Sequence, residues 1–186
     1  MLPDFGLLEV WPDKELSPYR VLPFDIYDCD EQELSARFVT AFPNSNRRSD
    51  IFQGFIQLRQ EAFSSGIQAT QWVDGSFVSS KVDPDDIDVV SFVDYDELNN
   101  CSNVQGALIN DLLNGGENTK PQYESHTFLV PACASSHPYF PIFEYWRIYW
   151  LEKWGKTYED KNTGIKEPKG FLKMSVGNGP HPQIAK

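Results

Sequence analysis

The chain has 186 residues, 40% of them hydrophobic and 14% aromatic, with a net charge of −11. That is enough length and apolar material for one domain with a real core, and it excludes a disordered chain. The acidic balance repels phosphate backbones and disfavours bulk nucleic acid as a partner, while still admitting a nucleotide whose phosphates reach carboxylates through Mg²⁺, or a basic protein partner.

Residues 1–28 are rich in proline and rings and show no sustained period, which predicts an extended arm packed on the domain. The opening residues lack the basic start and apolar run of a signal peptide. Asp30, three residues ahead of Glu33, reads as a capping box and predicts a helix over residues 31–41, stopped by Pro43 and Asn44-Ser45-Asn46. A second helix is expected over residues 47–63, because Ile51, Phe55 and Leu58 share one stripe and Gly66 closes it.

The period then changes to that of a strand over residues 67–73, entering the turn Asp74-Gly75-Ser76. After a polar loop, Ile87, Val89, Val90, Phe92 and Val93 make a β-branched, apolar run that reads as a buried strand. A third helix is expected over residues 97–113 with Val104, Leu108, Leu112 and Leu113 inward, stopped by Asn114-Gly115-Gly116. Residues 124–130 read as a strand. Residues 141–154 read as a helix whose Phe143, Trp146, Trp150 and Trp154 recur at core spacing. A last strand is expected over residues 171–176, followed by a frayed tail over residues 177–186.

These elements predict an α/β fold, with a short mixed sheet and helices on one side. Residues 1–176 would form a single domain. Cys29, Cys101 and Cys133 are odd in number, far apart and without a C-x-x-C spacing. They predict reduced thiols in a cytoplasmic protein, and neither a disulfide frame nor a zinc knuckle. No stretch is apolar over the length a membrane span needs.

The chemistry concentrates in residues 72–90. Asp86 and Asp88 alternate with Ile87 and Val89, so a strand would set two carboxylates on one face and two apolar side chains on the other. Adjacent carboxylates repel unless a cation lies between them, and hard oxygen ligands suit Mg²⁺. Gly75 lets the backbone approach a phosphate, and Ser76 adds a hydroxyl and an N–H. An acidic turn at Asp83-Pro84-Asp85-Asp86 leaves unexplained why Asp88 interrupts a buried strand, where an unpaired carboxylate is costly. An EF-hand loop would need glycine where Asp88 stands.

Gly75-Ser76, a spacer, then Asp86-Ile87-Asp88-Val89 resembles the nucleotidyltransferase signature. Trp72-x-x-Gly75-Ser76-Phe77-Val78 with Pro84-x-Asp86-Ile87-Asp88-Val89-Val90 is more closely similar to small bacterial nucleotidyltransferase-like proteins without assigned function. The similarity extends to Leu2-Pro3-Asp4-Phe5-Gly6 and Pro168-Lys169-Gly170-Phe171. The resemblance implies that Asp86 and Asp88 hold Mg²⁺ carrying a nucleoside triphosphate, with Gly75 and Ser76 at its β- and γ-phosphates. A hydroxyl acceptor would then displace pyrophosphate from the α-phosphorus.

The family pattern also calls for a third carboxylate on a later strand. Here the aligned residue is His126, a candidate proton acceptor, with Glu124 two residues earlier as a candidate metal ligand on the same face. Lys81 and Lys169 are the basic groups for phosphate contact, while His137 and His181 have no motif around them. The acceptor would be a protein, an RNA end or a small molecule, and some resembling families act as antitoxins by nucleotidylating a toxin. The alternative is a domain that binds a nucleotide or a protein partner without turnover.

Overall fold

The computed structural model describes residues 19–64, 66–157, 164 and 166–177. Five strands form one mixed sheet: β1 (Ile26–Asp28), β2 (Ala69–Asp74), β3 (Ile87–Asp94), β4 (Ser125–Ala132) and β5 (Phe171–Val176). Their order across the sheet is β1-β5-β2-β3-β4. β1 runs parallel to β5 and β3 parallel to β4, while β2 is antiparallel to both of its neighbours.

Side-chain alternation sorts the apolar strand residues between two faces. Val73, Ile87, Val89, Leu172 and Met174 pack against Leu34, Phe38, Ile51 and Phe55. Those partners come from α1 (Glu31–Ser35), the turn that follows it, and α2 (Arg48–Phe63). Trp72, Val90, Phe92 and Phe171 point the other way, onto Phe143, Trp150 and Trp154 of the last helix, Phe140–Trp154. The sheet is therefore covered on both faces rather than on one. That is why β3 reads as a nearly continuous apolar run instead of an alternating one.

Several elements depart from the sequence expectation for local reasons. Asp30 does cap α1, accepting from the Glu33 N–H at 2.7 Å. The helix does not run evenly to residue 41, because Ala36–Thr40 widens into a π-helix. In that turn the Phe38 carbonyl accepts from the Arg48 side chain at 2.8 Å.

The single helix expected over residues 97–113 is two, α3 (Tyr95–Asn100) and α4 (Asn103–Leu113). Ser102 and Gln105 form a reciprocal capping box that starts α4 afresh. The restart turns Val104 and Leu108 outward, 81% and 43% exposed, and leaves Ile109, Leu112 and Leu113 in the core. A one-turn helix, α5 (Lys120–Tyr123), precedes β4. In the last helix, α6, Trp146 is 40% exposed and stacks edge-on with Tyr145 and Tyr149 instead of joining the core.

Within the expected arm, Val21 bridges Ser79 and residues 26–28 join the sheet as β1. The arm's first 18 residues, the tail beyond Gly177, the Leu2–Gly6 segment and His181 lie outside the described residues. No helix among the described residues is long and apolar enough to cross a membrane.

Candidate metal centre and its cleft

Three polar side chains stand in register across three strands at one end of the sheet. Asp74 of β2 is opposite Asp88 of β3, and Asp88 is beside His126 of β4. All three share the face covered by α6, as strand alternation requires. Asp86, just before β3, completes the group. Ligand atoms of Asp86, Asp88 and His126 lie within 4.8 Å of one another, a constellation that can hold a metal ion.

The turn after β2 is shaped to this group. Gly75 has φ 83° and ψ −169°, a conformation reserved for glycine. A Cβ at Gly75 would also overlap the Asp88 carboxylate. The turn therefore approaches Asp88 with its backbone bare. Ser76–Val78 then forms a short 3₁₀ turn.

The group opens into a cleft of about 940 Å³. Its walls carry Phe128, Tyr149, Trp150 and Trp154, together with Lys120, Lys153, Lys156, Lys166 and Lys169. Five of the chain's ten lysines thus converge on one cleft of a protein with net charge −11. The same lining holds six carboxylates, Asp74, Asp85, Asp86, Asp88, Glu117 and Glu152, so the cleft gathers charge of both signs.

A model of DUF6932, a family of unknown function, matches residues 14–175. The chain belongs to this family. No curated protein and no solved structure matches it. In this DUF6932 chain the chemistry of the cleft resides in its side chains.

Their electrostatics are those of a crowded acidic site. Burial pushes the Asp88 carboxyl up to about 7, and the charges of Asp86 and Asp74 add to that rise. Burial also raises Asp74, against the pull of Lys169, whose ammonium sits 2.6 and 2.5 Å from its two oxygens. Lys120 bridges Asp86 at 2.5 Å and Glu117 at 2.7 Å. Burial works against its charge, but the two carboxylates outweigh that and hold the ammonium above the ordinary lysine range. Burial lowers His126 and favours the neutral imidazole, the form that can ligate a metal, although Glu117 and Asp86 pull the other way. His126 Nδ1 is 3.3 Å from Asp88 Oδ1.

The expected site residues divide clearly. Gly75, Asp86, Asp88, His126 and Lys169 meet in the cleft. Ser76 follows Gly75 in the turn but is not among the cleft-lining residues. Lys81 pairs with Asp85 at 2.6 Å and also lies off the cleft wall.

Glu124 does not share the His126 face. It caps α5 with φ 51°, before the strand begins, and its carboxylate pairs with Arg47 at 2.6 Å. The left-handed residue breaks the alternation on which the same-face expectation depended. His137 lies 3.8 Å from Asp96 and lines no part of the cleft.

Sequence reasoning left out Asp74, Lys120 and the α6 lysine Lys153. Asp74 carried a signal: it ends a buried strand immediately before the glycine turn. Lys120 and Lys153 lie outside any motif and reach the site only through the fold.

Proposed function

We propose that this protein is a divalent-cation-dependent nucleotidyltransferase, which moves a nucleotide from a nucleoside triphosphate to a hydroxyl acceptor. The observation that carries the reading is the pair of carboxylates Asp86 and Asp88 lining one cleft together with five lysines. A triphosphate complexed with Mg²⁺ presents the complementary charge pattern, a cation flanked by anionic oxygens.

The residues fit such an ion. Asp88 holds its proton up to about 7 because it is buried and, to a lesser degree, because Asp86 and Asp74 crowd it, and a cation between Asp86 and Asp88 would favour its charged form. Mg²⁺, the ion the resemblance implies, would supply charge stabilisation at the phosphorus under attack and at the departing oxygen.

The chain's own groups have distinct tasks. Asp86 and Asp88 would hold the ion. The bare backbone at Gly75 leaves room for the Asp88 carboxylate against the turn. Lys169, held against Asp74, and Lys153, on the α6 wall, offer charge to the polyphosphate. The exposed ring of Tyr149 on the cleft wall offers a surface on which a base can stack. His126 stands beside Asp88 as the third group at the ion, and the acceptor hydroxyl's proton passes to solvent in the cleft. The acceptor oxygen bonds to the α-phosphorus as the bond to the pyrophosphate oxygen breaks, and pyrophosphate leaves. The acceptor hydroxyl is that of a protein, an RNA end or a small molecule.

One observation favours a second reading, a nucleotide-binding module without turnover. The position beside Asp88 on β4 is His126 instead of a carboxylate, and Glu124 is turned to Arg47.

Both readings require nucleotide at this site, and a thermal-shift panel of the four ribonucleoside triphosphates tests it. Binding at 100 times Kd adds about 2.7 kcal/mol, or roughly 5–10 °C for a domain of this size. The shift is expected with Mg²⁺, and is abolished by chelator and by Asp86→Ala. An unchanged melting temperature with all four triphosphates would count against the nucleotide site.

A further inference from the structure

We infer that the Asp86–Asp88–His126 centre selects a divalent transition ion of the Mn²⁺ type over Mg²⁺, with the His126 imidazole as a direct ligand. The inference rests on the metal centre proposed above and names the class of ion it prefers.

The ligand set carries the argument. The register of β3 and β4 places His126 beside Asp88, so the third group facing an ion between the carboxylates is a nitrogen. Mg²⁺ takes oxygen ligands and sheds water reluctantly, so an imidazole gains it little. Mn²⁺ accepts oxygen and nitrogen together and stands above Mg²⁺ in affinity for nitrogen. Two carboxylates and one imidazole leave positions open for phosphate oxygens and water.

Charge points the same way. A hard ion depends on how many uncompensated carboxylates surround it. Asp86 already carries the Lys120 ammonium at 2.5 Å, and Asp74 carries that of Lys169 at 2.5 Å. The local negative charge is therefore smaller than a count of three aspartates suggests. An ion that also gains from the nitrogen bond loses less by this neutralisation.

The imidazole is held for the purpose. Its ring packs on Phe128 at 4.5 Å between centroids, and Phe128 packs on Trp150 of α6 at 4.4 Å. This stack fixes the ring plane beside Asp88, at the floor of the cleft.

The test uses the full, tag-free chain without nucleotide. Free Mn²⁺ is counted by electron paramagnetic resonance, Mg²⁺ affinity is read by displacement of Mn²⁺, and bound Mn²⁺ is examined for ¹⁴N coupling by electron spin-echo methods. The wild type is expected to bind Mn²⁺ at least tenfold more tightly than Mg²⁺ and to show ¹⁴N coupling. In His126→Asp the coupling disappears and the Mn²⁺/Mg²⁺ ratio falls at least fivefold.

Mn²⁺ bound by the wild type without ¹⁴N coupling, or an equal ratio in both proteins, overturns the inference and leaves the metal centre standing. No Mn²⁺ binding by the wild type, or binding that Asp88→Asn leaves unchanged, overturns the centre itself and with it the functional reading.

Discussion

Asp88→Asn raises the melting temperature of the metal-free protein at pH 8 while abolishing its stabilisation by divalent cations. Folding lifts the Asp88 carboxyl from 3.8 to about 7. The unfolded chain therefore releases this proton at lower pH than the folded one. Below about pH 4 both states hold the proton and the group costs nothing. As pH rises towards 7 the folded state resists ionisation, and stability falls. Above 7 the full cost is present, at most about 4 kcal/mol at about 1.4 kcal/mol per pKa unit.

Asparagine keeps the shape and removes the charge. Recovering half of that cost gives about 2 kcal/mol, or roughly 4–8 °C at this size. The gain shrinks to nothing below about pH 4. Calorimetric melts of both proteins from pH 4 to 8, with and without cation, check all parts. A variant less stable than wild type at pH 8 in chelator would mean that Asp88 is satisfied without an ion, and the crowding argument would fail.

The second large effect lies in the scaffold of the turn. Arg48, at the start of α2, is fully buried. Its guanidinium donates to the carbonyls of Phe38 and Phe77, each at 2.8 Å, Ser79 at 2.7 Å and Lys81 at 2.6 Å. It also lies 3.8 Å over the Phe42 ring. Burial lowers it to about 10, although Asp83 opposes the shift.

This one side chain ties the segment following Gly75-Ser76 to α2 and to the π-turn. Arg48→Leu leaves four carbonyls without their donor, and each unsatisfied buried group costs about 1–3 kcal/mol. The expected loss exceeds about 4 kcal/mol, lowering the melting temperature by roughly 10 °C or more. Arg48→Lys recovers little, because an ammonium cannot reproduce the planar fork. Chemical denaturation of the three proteins measures this directly. A loss under about 1 kcal/mol for Arg48→Leu would show that the turn holds without the clamp.

Much of this was legible in the sequence where a signal is local. Alternation in Ile87-Asp88-Val89 put the carboxylate and the apolar side chains on opposite faces of β3, as the fold has them. The glycine at 75 announced a turn that no other residue could make against Asp88. Ser102 and Gln105 also carried a local signal, a capping spacing that splits the helix expected over residues 97–113.

Other features depend on what the fold brings together. Lys120, Lys153, Lys156, Lys166 and Lys169 meet across nearly fifty residues of chain, and no window of sequence holds them. Lys81 looked closer to the acidic pair because it is nearer in sequence, yet its partner is Asp85, four residues on. Glu124 failed as a partner of His126 because one residue with φ 51° separates α5 from β4. Covering of the second face depended on α6, whose rings run all the way round it, so periodicity alone could not choose the buried side.

A metal–nucleotide site at the sheet end formed by Asp74, Asp88 and His126 is open to direct observation. The most direct measurement is diffraction at the manganese edge from crystals grown with Mn²⁺ and an α,β-methylene nucleoside triphosphate. The account predicts an anomalous peak bonded to Asp86 and Asp88, with the triphosphate lying between the Gly75 turn and the lysines of the cleft. A triphosphate bound elsewhere, or Lys120 still paired with Asp86 and no peak between the carboxylates at saturating ion, would contradict it.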